Sequence, residues 1–275
     1  MISSSNHWRA WAGALICVLG LMGCERVIDL DVGENPRLPV FSFRMDAVTG
    51  AVVGTVSTSV DFFAPGIPPA EVGVTGWITD STGGEWPITE LVAGSGVYSA
   101  ETGRAWVPGE RCTMALEWEG QTYETQVLVP EAAAIDSLEL RRFEGFFGIE
   151  PDADTSWQIF VHLPAYPAVR NILLEYWVDG IYQTEVTQVF KTTPDAPTEV
   201  PLGWNQRLFS PGEEVEVWLW SVSDQTFAYW QAVGDLSGFG GPGGVPGNPP
   251  NHWSLPALGH FTVAPMVQQS VTIPQ

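Results

Sequence analysis

The sequence predicts a mainly β fold, and three observations predict it. Apolar and polar residues alternate with a period of two along several short segments, the spacing of half-buried strands. Gly (29) and Pro (22) exceed ordinary use and Lys191 is the sole lysine, a mix that suits many turns and short strands. With 45% hydrophobic residues and 13 Trp, the chain can also bury a substantial core. The roughly 250 residues that remain once a leader is removed suffice for one large or two ordinary β-domains.

The leader comes first in the chain. Arg9 is a single positive charge in a short polar start, and an apolar run from Ala10 to Met22 follows, too short to span a bilayer comfortably. The run ends Leu21-Met22-Gly23-Cys24, which resembles the lipobox of bacterial lipoproteins. A Leu stands three positions before the Cys and a small residue just before it, with Met22 a departure from the usual Ala, Ser or Val. The chemistry explains these residue types. The Cys24 thiol takes a diacylglyceryl group as a thioether, the signal peptidase cuts at Gly23 where only a small side chain fits, and the freed amine of Cys24 is acylated, commonly with palmitate. Each buried methylene contributes about 0.8 kcal/mol, so two chains already anchor stably. The other readings are an ordinary secretion signal with a chance Cys, and a transmembrane helix. The acidic residues that begin at once, Glu25, Asp29, Asp31 and Glu34, disfavour the helix. Glu25 stands where Asp would favour inner-membrane retention. The expected location is therefore the outer membrane, on its periplasmic or its cell-surface face.

Residues 1–23 are thus read as signal peptide, 24–38 as a lipidated tether, 39–130 as a β-sandwich domain and 131–275 as a second β-rich domain. In the first half, Val72, Val74 and Ile78 fall on one face of an extended segment, Ser81 to Gly84 is a turn, and Gly96 to Ala100 is a short strand. Cys112, Met114, Leu116 and Trp118 then share a face, Glu119-Gly120 turns the chain, and Tyr123 to Val129 returns it until Pro130. In the second half, Trp157, Ile159, Val161 and Leu163 alternate with polar positions, and Ile172, Leu174, Tyr176 and Val178 share a face. Asp179-Gly180 is a strong hairpin signal because both residues tolerate positive φ. Ile181 to Phe190 is the expected return strand. Val215, Val217 and Leu219, with Trp218, Trp220 and Val222 opposite, predict a strand buried on both faces. Ser223 or Asp224 can cap a short helix over Gln225 to Val233 that Gly234 ends, with Phe227 and Trp230 on its buried face. Gly238 to Pro250 is a long Gly/Pro loop.

The order of these features resembles a Bacteroidota lipoprotein family, the domain-of-unknown-function 4249 family. Cys24-Glu25-Arg26-Val27-Ile28-Asp29-Leu30-Asp31 is similar to that family's opening after the lipobox. Pro108-Gly109-Glu110, Trp118 to Tyr123 and Val129-Pro130 resemble its central strand pattern, with Cys112 in place of the usual aromatic. Ser221 to Trp230 and the closing Leu258-Gly259-His260-Phe261 are similar as well, whereas the Gly/Pro loop replaces an Asn-rich approach. The resemblance implies an immunoglobulin- or transthyretin-like β-sandwich followed by a second β-rich part. It also implies an association with the outer membrane and genes that often lie beside those of TonB-dependent receptors.

The charge is −21, and −22 once Arg9 leaves with the leader, which disfavours nucleic acid and anionic lipid surfaces as partners. Cys17 leaves with the leader and Cys24 is lipidated, so Cys112 is alone and reads as a small core residue. No nucleophile elbow, phosphate loop, His-Glu-x-x-His or Cys-x-x-Cys occurs, so no catalytic residue and no cofactor are predicted. His162 reads as a surface residue. Glu150, Asp152 and Asp154 read as a solvated acidic turn, lacking the glycine and distal Glu of a Ca²⁺ loop. An exposed Trp can stack on a sugar or an apolar ligand, and core filling is the other reading. Trp253, beside the Gly/Pro loop, is the first candidate ligand-binding residue, with His252 and His260 flanking it. The two His could meet at a zinc ion, but the spacing implies no third ligand, so no metal site is predicted. The expected function is that of a ligand- or receptor-binding accessory of a TonB-dependent transporter, not an enzyme. The alternative is a structural or adhesion-type envelope protein.

Overall fold

The computed structural model describes residues 37–60, 68–143, 157–183, 187–203, 208–235 and 248–275. Gly23 and Cys24, the tether through Pro36, the Glu150/Asp152/Asp154 run and residues 238–247 of the Gly/Pro loop lie outside them. The described chain is mainly β, as the alternation predicts. In the first half the strands are β1 (Pro39–Asp46), β2 (Ala51–Thr58), β3 (Thr75–Asp80), β4 (Glu85–Glu90), β5 (Val97–Glu101), β6 (Arg111–Trp118) and β7 (Gln121–Leu128). The second half holds β8 (Ser137–Arg142), β9 (Trp157–Leu163), β10 (Asn171–Val178), β11 (Ile181–Tyr182), β12 (Gln188–Lys191), β13 (Thr198–Pro201), β14 (Glu214–Val222), α1 (Asp224–Gly234), β15 (Leu258–Ala264) and β16 (Met266–Thr272).

Local chemistry sets the hairpins. Glu119 and Gly120 have φ of 48° and 75°, and Asp179 and Gly180 have 50° and 76°, so both turns are the two-residue type whose twist suits β6–β7 and β10–β11. The return from β10 differs from the expected single strand. Tyr182 pairs with Trp177 and Gln188 with Leu174, so the two pairings lie six positions apart on the return but three apart on β10, and the return splits into β11 and β12. Val72 also departs from expectation. It is 55% exposed because it precedes Gly73, whose φ of 72° breaks the extended run before β3 begins. Gly234 is the last helical residue, followed by Asp235 still in right-handed geometry.

Three sheets result. The first has the order β15-β1-β2-β5-β4-β3-β6-β7 and encloses a core of Phe41, Met45, Tyr98, Met114, Leu116 and Phe261 with their neighbours. The second half is a sandwich. A five-stranded sheet, β11-β10-β14-β16 with β12 also on β10, faces the three-stranded β13-β9-β8 across Ile159, Ile172, Tyr176, Phe209 and Leu219. Helix α1 covers part of the outer face of the five-stranded sheet over Leu173, Trp220 and Val222.

The expected boundary at residue 130 falls just after β7, but β15 crosses it. β15 pairs in parallel with β1, from Leu258 opposite Val40 to Ala264 opposite Asp46. After Pro265 the chain enters β16, which pairs with β14. Phe261 and Val263 point into the first core, while Ala264 joins the cluster under α1. The segment leading into β15 also ties to β7: Ser254 N–H donates to Glu124 O at 2.8 Å, and Glu124 N–H donates to Ser254 Oγ at 2.9 Å.

Candidate functional site

Helix α1 and β15 bring together two of the three candidate residues. Ser223 caps α1, its Oγ accepting Thr226 N–H at 3.1 Å. Thr226 is fully buried, and its Oγ1 shares a hydrogen bond of 2.8 Å with His260 Nε2. One turn on, Tyr229 stacks on the His260 imidazole at 4.8 Å and 18°. The His252 ring meets His260 edge to face, 5.5 Å between centres and 76° between planes. His260 Nδ1 and His252 Nε2 are both buried and have no hydrogen-bond partner among the described residues. Burial pushes the His260 imidazole down to about 3, with His252 beside it acting in the same direction. Burial also lowers His252. The pair is therefore held neutral.

Trp253 goes elsewhere. It is 5% exposed and packs on Phe41 in the first core at 4.9 Å, so its face is covered and it cannot stack on a ligand in this fold. Other Trp residues are covered by one another and not by a core. Trp177 stands between Tyr182 at 4.9 Å and Trp218 at 4.3 Å on the outer face of the five-stranded sheet, and the rings cover one another.

An open groove of about 850 Å³ runs between the end of the β6–β7 hairpin, the connection at Pro130-Glu131, the 168–171 segment and the start of α1. Its walls carry Leu128 and Val169, 55% and 47% exposed, two of the ten large exposed apolar side chains among the described residues. Arg111 lines it without an ion pair among the described residues, while Arg170 donates to Glu131 and Asn171 Nδ2 donates to Asp224 Oδ1 at 2.8 Å. The volume lies within the range of small-ligand sites. Ser223 belongs both to the groove wall and to the Ser223–Thr226–His260 hydrogen-bond chain, so the groove and the His pair share one helix terminus.

A third cluster is structural. Oxygen and nitrogen atoms of Glu139, His162 and Glu199 lie within 4.8 Å of one another on the three-stranded sheet. Arg141 already grips both carboxylates in bidentate fashion, at 2.6–2.8 Å to Glu139 and 2.7–2.8 Å to Glu199. The Arg141 hydrogen bonds, helped by His162, hold the Glu139 carboxyl down to about 2. A guanidinium in that position supplies the positive charge an ion would bring. Cys112 is fully buried, with its thiol pushed up by desolvation, which fits the core role read from the sequence.

The groove escapes sequence reading because its walls come from four separated segments, near residues 109–111, 126–131, 168–171 and 221–225. The exposed Leu128 at the end of an otherwise alternating strand is the one local sign of it.

No family model matches the chain, and no curated protein matches it. Among solved structures, one match is the dimeric latent PorU from Porphyromonas gingivalis, at 11% identity and a TM-score of 0.22. The match covers 83% of this chain and 20% of that one, so this chain spans about a fifth of PorU's length. A likeness at that level carries no argument about fold or function. No helix among the described residues is long and apolar enough to cross a membrane.

Proposed function

We propose that the protein is a lipid-anchored, non-catalytic accessory of an outer-membrane transporter that holds a ligand or a receptor segment in the groove beside α1. The observation that carries this reading is the groove itself, wide enough for a ligand and lined by exposed Leu128 and Val169, with Arg111 at its edge in no ion pair among the described residues. Support for the anchor comes from the Leu21-Met22-Gly23-Cys24 run, and support for the transporter from the family resemblance.

The test is a pull-down of the tagged, detergent-solubilised lipoprotein from its native envelope, read by mass spectrometry. Stoichiometric recovery of an outer-membrane receptor is the expected result, and a Leu128→Glu/Val169→Glu variant should lose it while keeping its circular dichroism spectrum. Recovery of the protein alone would overturn the transporter reading. The anchor is checked apart from this: Cys24→Ala should abolish palmitate labelling, and persistent labelling would refute lipidation at Cys24.

A further inference from the structure

We propose that His252 and His260 together hold one transition-metal ion, Zn²⁺ or Cu²⁺, between His252 Nε2 and His260 Nδ1. Two buried ring nitrogens without a partner among the described residues are costly unless an atom from outside the chain meets them. The geometry suits an ion. Two imidazoles on one tetrahedral centre, at metal–nitrogen distances of about 2 Å, place their ring centres roughly 5 Å apart. The observed separation is 5.5 Å.

The surroundings suit it as well. A metal-bound imidazole commonly hydrogen-bonds through its other nitrogen to an oxygen, which fixes the tautomer and aims the free lone pair. His260 does this through Nε2 to Thr226 Oγ1 at 2.8 Å, and Thr226 is itself held by the Ser223 cap. Tyr229, stacked on the ring, blocks its rotation. His252 as a residue is only half-buried, so an ion has only one side chain to pass on its way to the buried ring nitrogens. Nitrogen ligands select Zn²⁺ or Cu²⁺ over Mg²⁺ and Ca²⁺, so the donor set discriminates against the ions that the acidic surface attracts.

The experiment titrates Zn²⁺ into the detergent-solubilised full protein by calorimetry, with millimolar Ca²⁺ present to occupy surface carboxylates. One equivalent should bind, and His252→Gln should weaken it at least tenfold without changing the metal-free melting temperature. Thr226→Val, which removes the oxygen that orients His260, should weaken it by roughly ten- to a hundredfold. With Cu²⁺, electron paramagnetic resonance should show coupling to two nitrogens in the wild type and to fewer in His252→Gln. Binding that is unchanged in His252→Gln would assign the ion to surface carboxylates and overturn the proposal, as would no binding above the Ca²⁺ background. In the latter case a bridging water is what fills the space between the rings.

Discussion

His260 is buried away from water, and its pH behaviour follows from that. In the unfolded chain an imidazole titrates near 6.5, whereas the buried His260 titrates at about 3 because desolvation penalises its cation. Between those values the unfolded chain holds a proton that the folded chain does not. Acid therefore favours unfolding: the contribution is complete above about pH 6.5 and is lost as pH falls toward 3. His252, lowered in the same direction, adds to the slope. The carboxylates held down in the folded state, Asp80 and Glu139 at about 2, lose their contribution only below their ordinary range near 4. The window between pH 7 and pH 5 thus isolates the histidines. Urea unfolding should show a loss of about 2 kcal/mol across it in the wild type, and distinctly less in His260→Gln. Parallel pH dependences in the two proteins would show that His260 is not the group responsible.

Among the elements, β15 does the most and announces itself least. Its residues alternate between the first core and the α1 side, and nearly all are buried, so no period of two shows in the sequence. Its partner β1 lies more than two hundred residues earlier, and a parallel pair has no turn to betray it. The β6–β7 and β10–β11 hairpins were legible for the opposite reason. Glu119-Gly120 and Asp179-Gly180 encode the turn locally, and each flanking strand has a face that alternates. The same contrast holds for the site. His252 and His260 stood out because histidine is scarce here, while the groove depends on four segments whose meeting no local pattern records. Gly259 is where β15 depends on a single residue. Its φ is 84°, and a Cβ there would lie 2.2 Å from the Phe41 carbonyl oxygen. Gly259→Ala should therefore cost at least about 3 kcal/mol, combining left-handed strain with a backbone clash. Gly180→Ala, at φ 76° with open space around the added carbon, should cost about 1 kcal/mol. Equal losses in denaturant titrations of the two variants would show that the approach of β15 to β1 is looser than the backbone indicates.

For the whole molecule, the question is whether the halves stand alone. Residues 37–275 form one compact unit, and three features tie its two cores together. β15 completes the first sheet and runs through Pro265 straight into β16 of the second. Trp253, Ala257, Phe261 and Val263, all beyond residue 250, fill the first core. Arg44 on β1 reaches the buried carboxylate of Glu175 on β10 with bonds of 2.6 and 2.9 Å, while Tyr182 and Trp220 Nε1 donate to the same carboxylate. A buried carboxylate stripped of its cation is strongly destabilising, so Glu175 makes the second half depend on the first as much as β15 makes the first depend on the second. Cutting at residue 130 would leave β1 with a free edge and Phe41 without Trp253 against it. A fragment of residues 37–130 should accordingly show weak near-ultraviolet circular dichroism and no cooperative thermal transition. A peptide of residues 248–266 added in trans should restore both, because it supplies the missing strand and its four core side chains. The intact chain should unfold in one transition. A fragment that melts cooperatively without the peptide would mean that the first sheet closes on its own and that β15 only docks onto it.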